Sequence, residues 1–344
     1  MTEVPPARRH VGVCYYMQTH KQPAQIARLV RLLKEGSPDC VVLIHHDDFK
    51  APLDPALFAS LTDVHVINGP GGYGNFSHLQ RYFDAIDWLD EQGIEYDWLH
   101  NMTGQDYPLR PVSEIEQFLA DSACDGYLQY APVFPDRTPP DVDWGAGPEY
   151  RPLGNKFDAD MRIKYAHRRI GGPTTRKQRW LRPVMALNLI QPWVRVSTSY
   201  STVAVRRKAS IFNDNDFICY GGSFFNVLSA ACVRYVRDFV RDNPEVVEYF
   251  RVMPGPNEVF LQTVLVNSGK FRLVPDGTYY IDWTNSRYNH PKLLGNEDLP
   301  AMLASGANWA RKFDAETEVL DLLDRHRDGA TTMSDIVSIA AVPG

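Results

Sequence analysis

From Val11 to about Tyr130 short apolar runs alternate with longer amphipathic ones. That alternation is the signature of stacked βα units around a largely parallel sheet. Val11 to Met17 reads as a first strand, and Pro23 to Lys34 as the helix after it, opened by a proline. Cys40 to His45 is a strand of continuous apolar type, as expected when helices cover both faces. Pro55 to Leu61 predicts a short helix and Val64 to Ile67 a third strand. Between Asn75 and Glu91, Phe76, Leu79, Phe83, Ile86 and Leu89 recur at three- and four-residue steps and form one helical stripe. Tyr96 to His100 predicts a strand. Ser113 to Leu119 predicts a helix, with Ser113 and Glu116 in capping-box spacing.

The strand pattern returns at Phe217 to Tyr220, followed by helices at Ser229 to Arg241, with Ser229 as cap, and at Asn257 to Val266. A strand-rich piece, Phe271 to Trp283, precedes two last helices near Glu297 to Ala304 and Glu316 to Arg327. The expected organisation is one domain over 1–330. It divides into a half with a nucleotide-binding type of sheet (11–130), a basic excursion (151–208) and a second half (209–330), to which the resemblance given below assigns the acceptor and catalytic roles, with a loose tail at 331–344.

The excursion is set apart by charge. The whole chain carries 36 Lys and Arg against 42 Asp and Glu, a net −6, but 151–208 holds 14 Lys and Arg with only Asp158 and Asp160. That is +12 locally, which leaves the remainder at −18. The mildly acidic total gives no reason to expect nucleic acid; the excursion is where an acidic acceptor or an anionic membrane surface belongs. Five scattered cysteines, Cys14, Cys40, Cys124, Cys219 and Cys232, read as thiols of a reducing compartment. No run approaches the roughly 20 apolar residues needed to span a bilayer, and Met1 to His10 lacks the apolar core of a signal peptide. The expected location is cytoplasmic; the 151–208 stretch reads either as a peripheral contact to the inner membrane face or as a solvated loop.

A Walker loop, a first-strand Gly-x-Gly-x-x-Gly, a nucleophile elbow and HExxH are all missing. Three segments can be forced into the form of metal-bridging acid pairs, Asp214-Asn-Asp216, Asp141-Val-Asp143 and Asp47-Asp48, but such short patterns arise by chance among 42 acids and read first as turn-forming side chains. The His45-His46-Asp47 run ends a strand, where an open α/β sheet meets its ligand, so Asp47 is a candidate nucleotide contact. Gly69-Pro-Gly-Gly72 with Gly74 is either a phosphate cradle or a flexible turn. The loop Asn101 to Arg110 places Gln105 and Asp106 at the same sheet edge. Glu258, in Pro256-Asn-Glu-Val-Phe-Leu-Gln-Thr263, is either a helix-start acid favoured by the dipole or a carboxylate positioned to take a proton from an attacking hydroxyl.

Four pieces in order carry a resemblance: Tyr96 to Arg110, Gly222-Ser-Phe-Phe225, Pro256 to Thr263 and Arg311-Lys-Phe-Asp314. Together they resemble the core-2/I-branching β-1,6-N-acetylglucosaminyltransferases and peptide O-xylosyltransferases, over about two thirds of the chain. The resemblance implies a GT-A glycosyltransferase fold, with a Rossmann-like central mixed sheet flanked by helices. It implies an inverting, metal-independent transferase that moves N-acetylglucosamine or xylose from a UDP-sugar to the hydroxyl of a glycan, glycolipid, peptide or small molecule. No cofactor and no divalent metal is expected. Glu258 matches the catalytic base, and Lys312 with Arg311 the cations that neutralise the departing UDP; Lys292 is a weaker second candidate. Asp47, His20 and Ser77 match nucleotide contacts, and Asp106, Gln105, Ser223 and Trp283 are acceptor-side candidates.

Asn257 departs from the pattern, since an Asp is commoner before the base. The animal enzymes are membrane-anchored and disulfide-bonded, so this chain reads as a free-standing, microbial relative. The alternative reading is a catalytically silent UDP-sugar- or carbohydrate-binding protein of the same fold.

Overall fold

The computed structural model describes residues 11–72, 75–134, 153, 156–170, 183–197, 202–212, 217–284, 291–315 and 317–330. In chain order the strands are β1 (Val13–Thr19), β2 (Val41–His46), β3 (Val64–Asn68), β4 (Trp98–Thr103), β5 (Asp106–Pro108), β6 (Gly126–Leu128), β7 (Ala131–Pro132) and β8 (Tyr165–Arg169). They continue with β9 (Val194–Ser197), β10 (Thr202–Arg206), β11 (Tyr220–Gly221), β12 (Asn226–Ser229), β13 (Leu273–Val274), β14 (Tyr279–Ile281) and β15 (Trp309–Arg311). The helices are α1 (Pro23–Gly36), α2 (Ser77–Glu91), α3 (Val112–Ala120), α4 (Lys156–Ile163), α5 (Leu187–Ile190), α6 (Ala230–Asp242), α7 (Pro244–Arg251), α8 (Phe260–Ser268), α9 (Leu299–Ala304) and α10 (Glu318–Arg327).

A mixed seven-stranded sheet runs in the order β13-β6-β12-β4-β1-β2-β3. Strands β4, β1, β2 and β3 are parallel, as the βα pattern predicts. Beyond β4 the order turns mixed, because β12 pairs antiparallel with both β4 and β6. The strand side chains split by alternation between two cores. Cys14 and Tyr16 face a core with α2, α6, α7 and α8, while Val13, Tyr15 and Met17 face a second core with α1, α3, α9 and α10. Strand β1 is therefore buried along its whole length, which is why it reads as a continuous apolar run.

Several local expectations change. The β11 ladder is two residues long, because Tyr220 and Gly221 pair only with the short β7. Helix α3 starts after Pro111 with no side-chain cap, and Glu116, assigned to a capping box by spacing, instead accepts from the Tyr15 hydroxyl at 3.1 Å. Pro55 to Phe58 makes a single 3₁₀ turn capped by Asp54, not a longer helix. Ser229 caps α6 as expected, accepting from the Cys232 amide. Leu273–Val274 and Tyr279–Ile281 lie in different sheets: the first edges the main sheet, and the second joins β15 and β5 in a small one. All five cysteines are free thiols, four of them buried. Among the described residues no helix is long and apolar enough to cross a membrane. The tail after Ala330 and the Asp141–Asp143 and Asp214–Asp216 pairs lie outside the described residues.

Candidate active site

The carboxyl ends of β1, β2 and β4 and the start of the antiparallel β12 share one edge of the sheet, set by the pairs Thr19–His46, Gln18–Thr103 and Asn226–Asn101. At the β1–β2 end, the Asp47 amide donates to the Thr19 carbonyl at 3.0 Å, and this holds the residue after β2 against the end of β1. Asp47 is buried, with Lys50 Nζ 3.9 Å from Oδ2, while Oδ1 finds no partner within the protein. The glycine turn after β3 folds onto it. A Cβ added at Gly71 would stand 2.1 Å from Asp47 Oδ2, and one at Gly72 would stand 2.0 Å from Ser77 Oγ. So the glycine turn brings Asp47 and Ser77 together, and Ser77 is fixed by donating to Asn75 Oδ1 at 2.6 Å. His20, an exposed residue at the end of β1, belongs to the same cluster: the surrounding protein, Lys50 and Lys21 push its imidazole down to about 4, against the opposing pull of Asp47.

The Arg311-Lys312 pair ends β15. Burial, with Arg311 and Lys21 nearby, holds the Lys312 ammonium below the ordinary lysine range. Its backbone is clamped on both sides: the Lys312 carbonyl accepts from Leu294 N at 3.0 Å, and Phe313 exchanges two hydrogen bonds with Gln105 at 2.9 and 3.0 Å. Gln105 thus acts as a clamp on the basic segment. Arg311 lies with its guanidinium carbon 3.5 Å above the centre of the Phe225 ring and 3.7 Å, Nη1 to Oδ1, from Asp106.

Asp106 itself is fully buried, which raises its pKa despite the nearby Arg311. It accepts from the amide and hydroxyl of Thr103 at 2.8 and 3.0 Å and from the Tyr279 hydroxyl at 3.3 Å. Tyr279 in turn meets Nε2 of His100 at 2.7 Å, and burial pushes that imidazole down to about 3. With no exposed surface, Asp106 orients Arg311 and the loop after β4 and does not face an acceptor. Lys292 is likewise occupied: its ammonium bonds Asp298 at 2.7 Å and Glu297 at 3.0 Å, and its amide donates to Asp282. It pins the segment that holds the Lys312 carbonyl.

Glu258 does not open an α-helix. It closes a separate 3₁₀ turn, Pro256–Glu258, and Val259 breaks the path before α8 begins at Phe260. The cause is upstream: Gly255 adopts φ 60°, and a Cβ there would also strike the Arg162 guanidinium at 2.1 Å. Arg162 enters from α4 nearly fully buried, donating to the Pro254 and Gly255 carbonyls at 3.0 and 2.8 Å and to Glu258 Oε2 at 2.6 Å. The Glu258 side chain keeps 44 % of its surface exposed. Sequence reading missed Arg162, because its partner is 96 residues away and it sits in a basic run that reads as surface charge.

The loop Gly222–Phe225 joins these groups. The Gly222 amide donates to the Glu258 carbonyl at 2.8 Å, and Gln262 Nε2 donates to the Ser223 carbonyl at 2.6 Å. Asn101 and Asn226, cross-strand neighbours, both donate to the Phe224 carbonyl at 2.7 Å, and Phe225 lies under Arg311. Ser223 Oγ turns inward to the Phe225 amide at 3.3 Å, and Trp283 is well exposed at the end of β14. Among the described residues no group of three His, Cys, Asp or Glu side chains is placed to hold a metal ion.

No family model matches the chain. Two curated proteins of Arabidopsis thaliana do: one is 24 % identical over 280 residues, 78 % of this chain and 52 % of its own length, and the other 25 % identical over 239 residues, 69 % and 45 %. Both relatives are beta-glucuronosyltransferases. The chain spans about half the length of these relatives.

Proposed function

We infer that this chain is a glycosyltransferase of the GT-A type, moving a sugar from a UDP-sugar to an acceptor hydroxyl with inversion and without a divalent metal. The observation that carries the reading is the Gly222–Phe225 loop, whose first residue is bonded to Glu258 and whose last lies under Arg311. Three Cα steps span at most about 11 Å, so one short loop ties the Glu258 backbone to the Arg311 guanidinium, which supports reading the carboxylate and the cation pair as parts of one site. The similarity to two glucuronosyltransferases supports glycosyl transfer in general.

In this mechanism the acceptor hydroxyl loses its proton to Glu258 as its oxygen attacks the anomeric carbon. The bond from that carbon to the diphosphate oxygen breaks on the opposite side, and the departing charge falls toward Lys312 and Arg311. Fixed cations that act on charge as it develops lower the barrier most, because the site needs no rearrangement at that moment. Arg162 holds Oε2 of Glu258 and leaves Oε1 to take the proton. Asp47, His20 and Ser77 would bind the nucleotide. Glucuronic acid, the sugar in the relatives' names, joins N-acetylglucosamine and xylose as a donor to test.

Release of UDP from a panel of UDP-sugars, with EDTA present, is the direct experiment. Glu258→Gln should lower turnover by roughly 10²-fold or more while UDP still binds. Near-normal turnover in that variant would remove Glu258 from the mechanism, and a strict manganese requirement would end the metal-free part of the reading.

A further inference from the structure

The small sheet β8-β10-β9 and α5 carry features that sugar transfer does not use. Here the polar backbone is tied off internally. The Asn188 side chain pairs with Val196 on the edge strand β9, accepting from its amide and donating to its carbonyl, both at 2.8 Å. Gln191 accepts from the amides of Trp193 and Val194 at 2.7 and 2.8 Å. Arg195 donates to the carbonyls of Asn188 and Gln191 at the end of α5.

What these bonds leave outside is apolar. Leu189 is 89 % exposed, Ile190 77 %, Trp193 65 % and Val205 56 %. Val205 pairs with Val194, and the Arg206 amide donates to the Trp193 carbonyl at 2.8 Å, so these residues form one continuous tip. Five of the eight large hydrophobic residues exposed among the described residues lie between Val184 and Val205. Such a concentration marks an interaction surface.

The surroundings specify the partner. Arg168, Arg169, Arg206 and Lys208 are exposed on the same strands or just after them. From Met161 to Asn213 the chain contains no Asp or Glu at all. Arg168 shares a sheet face with Val205, and an apolar tip on such a basic element fits a surface that is anionic outside and apolar beneath. A second copy of the chain fits it less well, because the same basic face would meet like charge.

We propose that Leu189, Ile190, Trp193 and Val205, with these cations on the adjoining strands, dock the protein on an anionic lipid bilayer. The proposal does not depend on the sugar chemistry, because flotation and UDP release are read separately.

Flotation of the full chain with vesicles of phosphatidylcholine and phosphatidylglycerol tests it. At low salt the protein should float with anionic vesicles and stay behind with pure phosphatidylcholine. Raising the salt to about 0.5 M should weaken binding at least about tenfold, since the screening length then falls to a few ångströms. The triple variant Leu189→Ser, Ile190→Ser, Trp193→Ala should lose at least about tenfold in binding and keep its unfolding temperature, because all three side chains are already solvent-exposed. Trp193→Phe should retain flotation and lose most of the quenching by brominated lipid. No flotation with anionic vesicles, binding unchanged in the triple variant, or self-association that the triple variant abolishes would each overturn the proposal.

Discussion

A carboxylate that accepts a proton during bond formation has to present one oxygen in a fixed direction, and in the proposed mechanism that task at Glu258 falls to Arg162. Among its partners in the described residues are two backbone carbonyls of the turn and Oε2, so the turn it supports helps to fix its position. Removing it should affect the chemical step more than donor binding. Arg162→Met is expected to lower kcat by about 10- to 100-fold with the donor KM within a few-fold of normal. Arg162→Lys, which keeps the charge but not the fork, should recover only part of the loss. Equal effects on kcat and KM in both variants would mean a general folding defect and no specific link to Glu258.

At the scale of elements, the glycine turn after β3 makes the sharpest prediction. Gly71→Ala would put a Cβ 2.1 Å from Oδ2 of the buried Asp47 carboxylate, so the carboxylate or the turn must shift. If Asp47 contacts the nucleotide, displacing it should raise the donor KM about tenfold, the usual worth of one charged hydrogen bond, and more than a matching loss of thermal stability alone would explain. An unchanged KM would separate Asp47 from the donor. The βα elements themselves were legible in the sequence, because β1, β2 and α2 declare their burial through apolar spacing. The 3₁₀ break before α8 was not, since it depends on Gly255 yielding to a guanidinium from a distant helix. Nor was the burial of Asp106 or the pairing of Lys292 with Asp298: a polar residue in a loop reads the same whether its partner is water or another chain segment.

Across the whole molecule, buried imidazoles tie stability to acid. Burial pushes His45 and His78 down to about 4 and His100 to about 3. Each is neutral when folded and takes a proton once unfolded below the ordinary value of about 6.5. Between those limits the unfolded chain binds more protons, so stability falls as pH falls from about 6.5 toward 4. The slope is on the order of 1.4 kcal/mol per pH unit for each histidine. Asp106, whose carboxyl is raised by burial, works in the opposite direction and reduces that total. Urea unfolding followed from pH 7 to pH 4.5 should show this decline; a flat profile would mean that these rings gain protons in the folded state.

The contact between Arg162 and Glu258 also bears on how the molecule can be engineered. Helix α4 lies inside the basic stretch that the sequence sets apart, yet its last turn reaches Glu258. That stretch therefore cannot be trimmed without consequence: a deletion that left every motif residue in place would still take away the group that holds the Glu258 carboxylate.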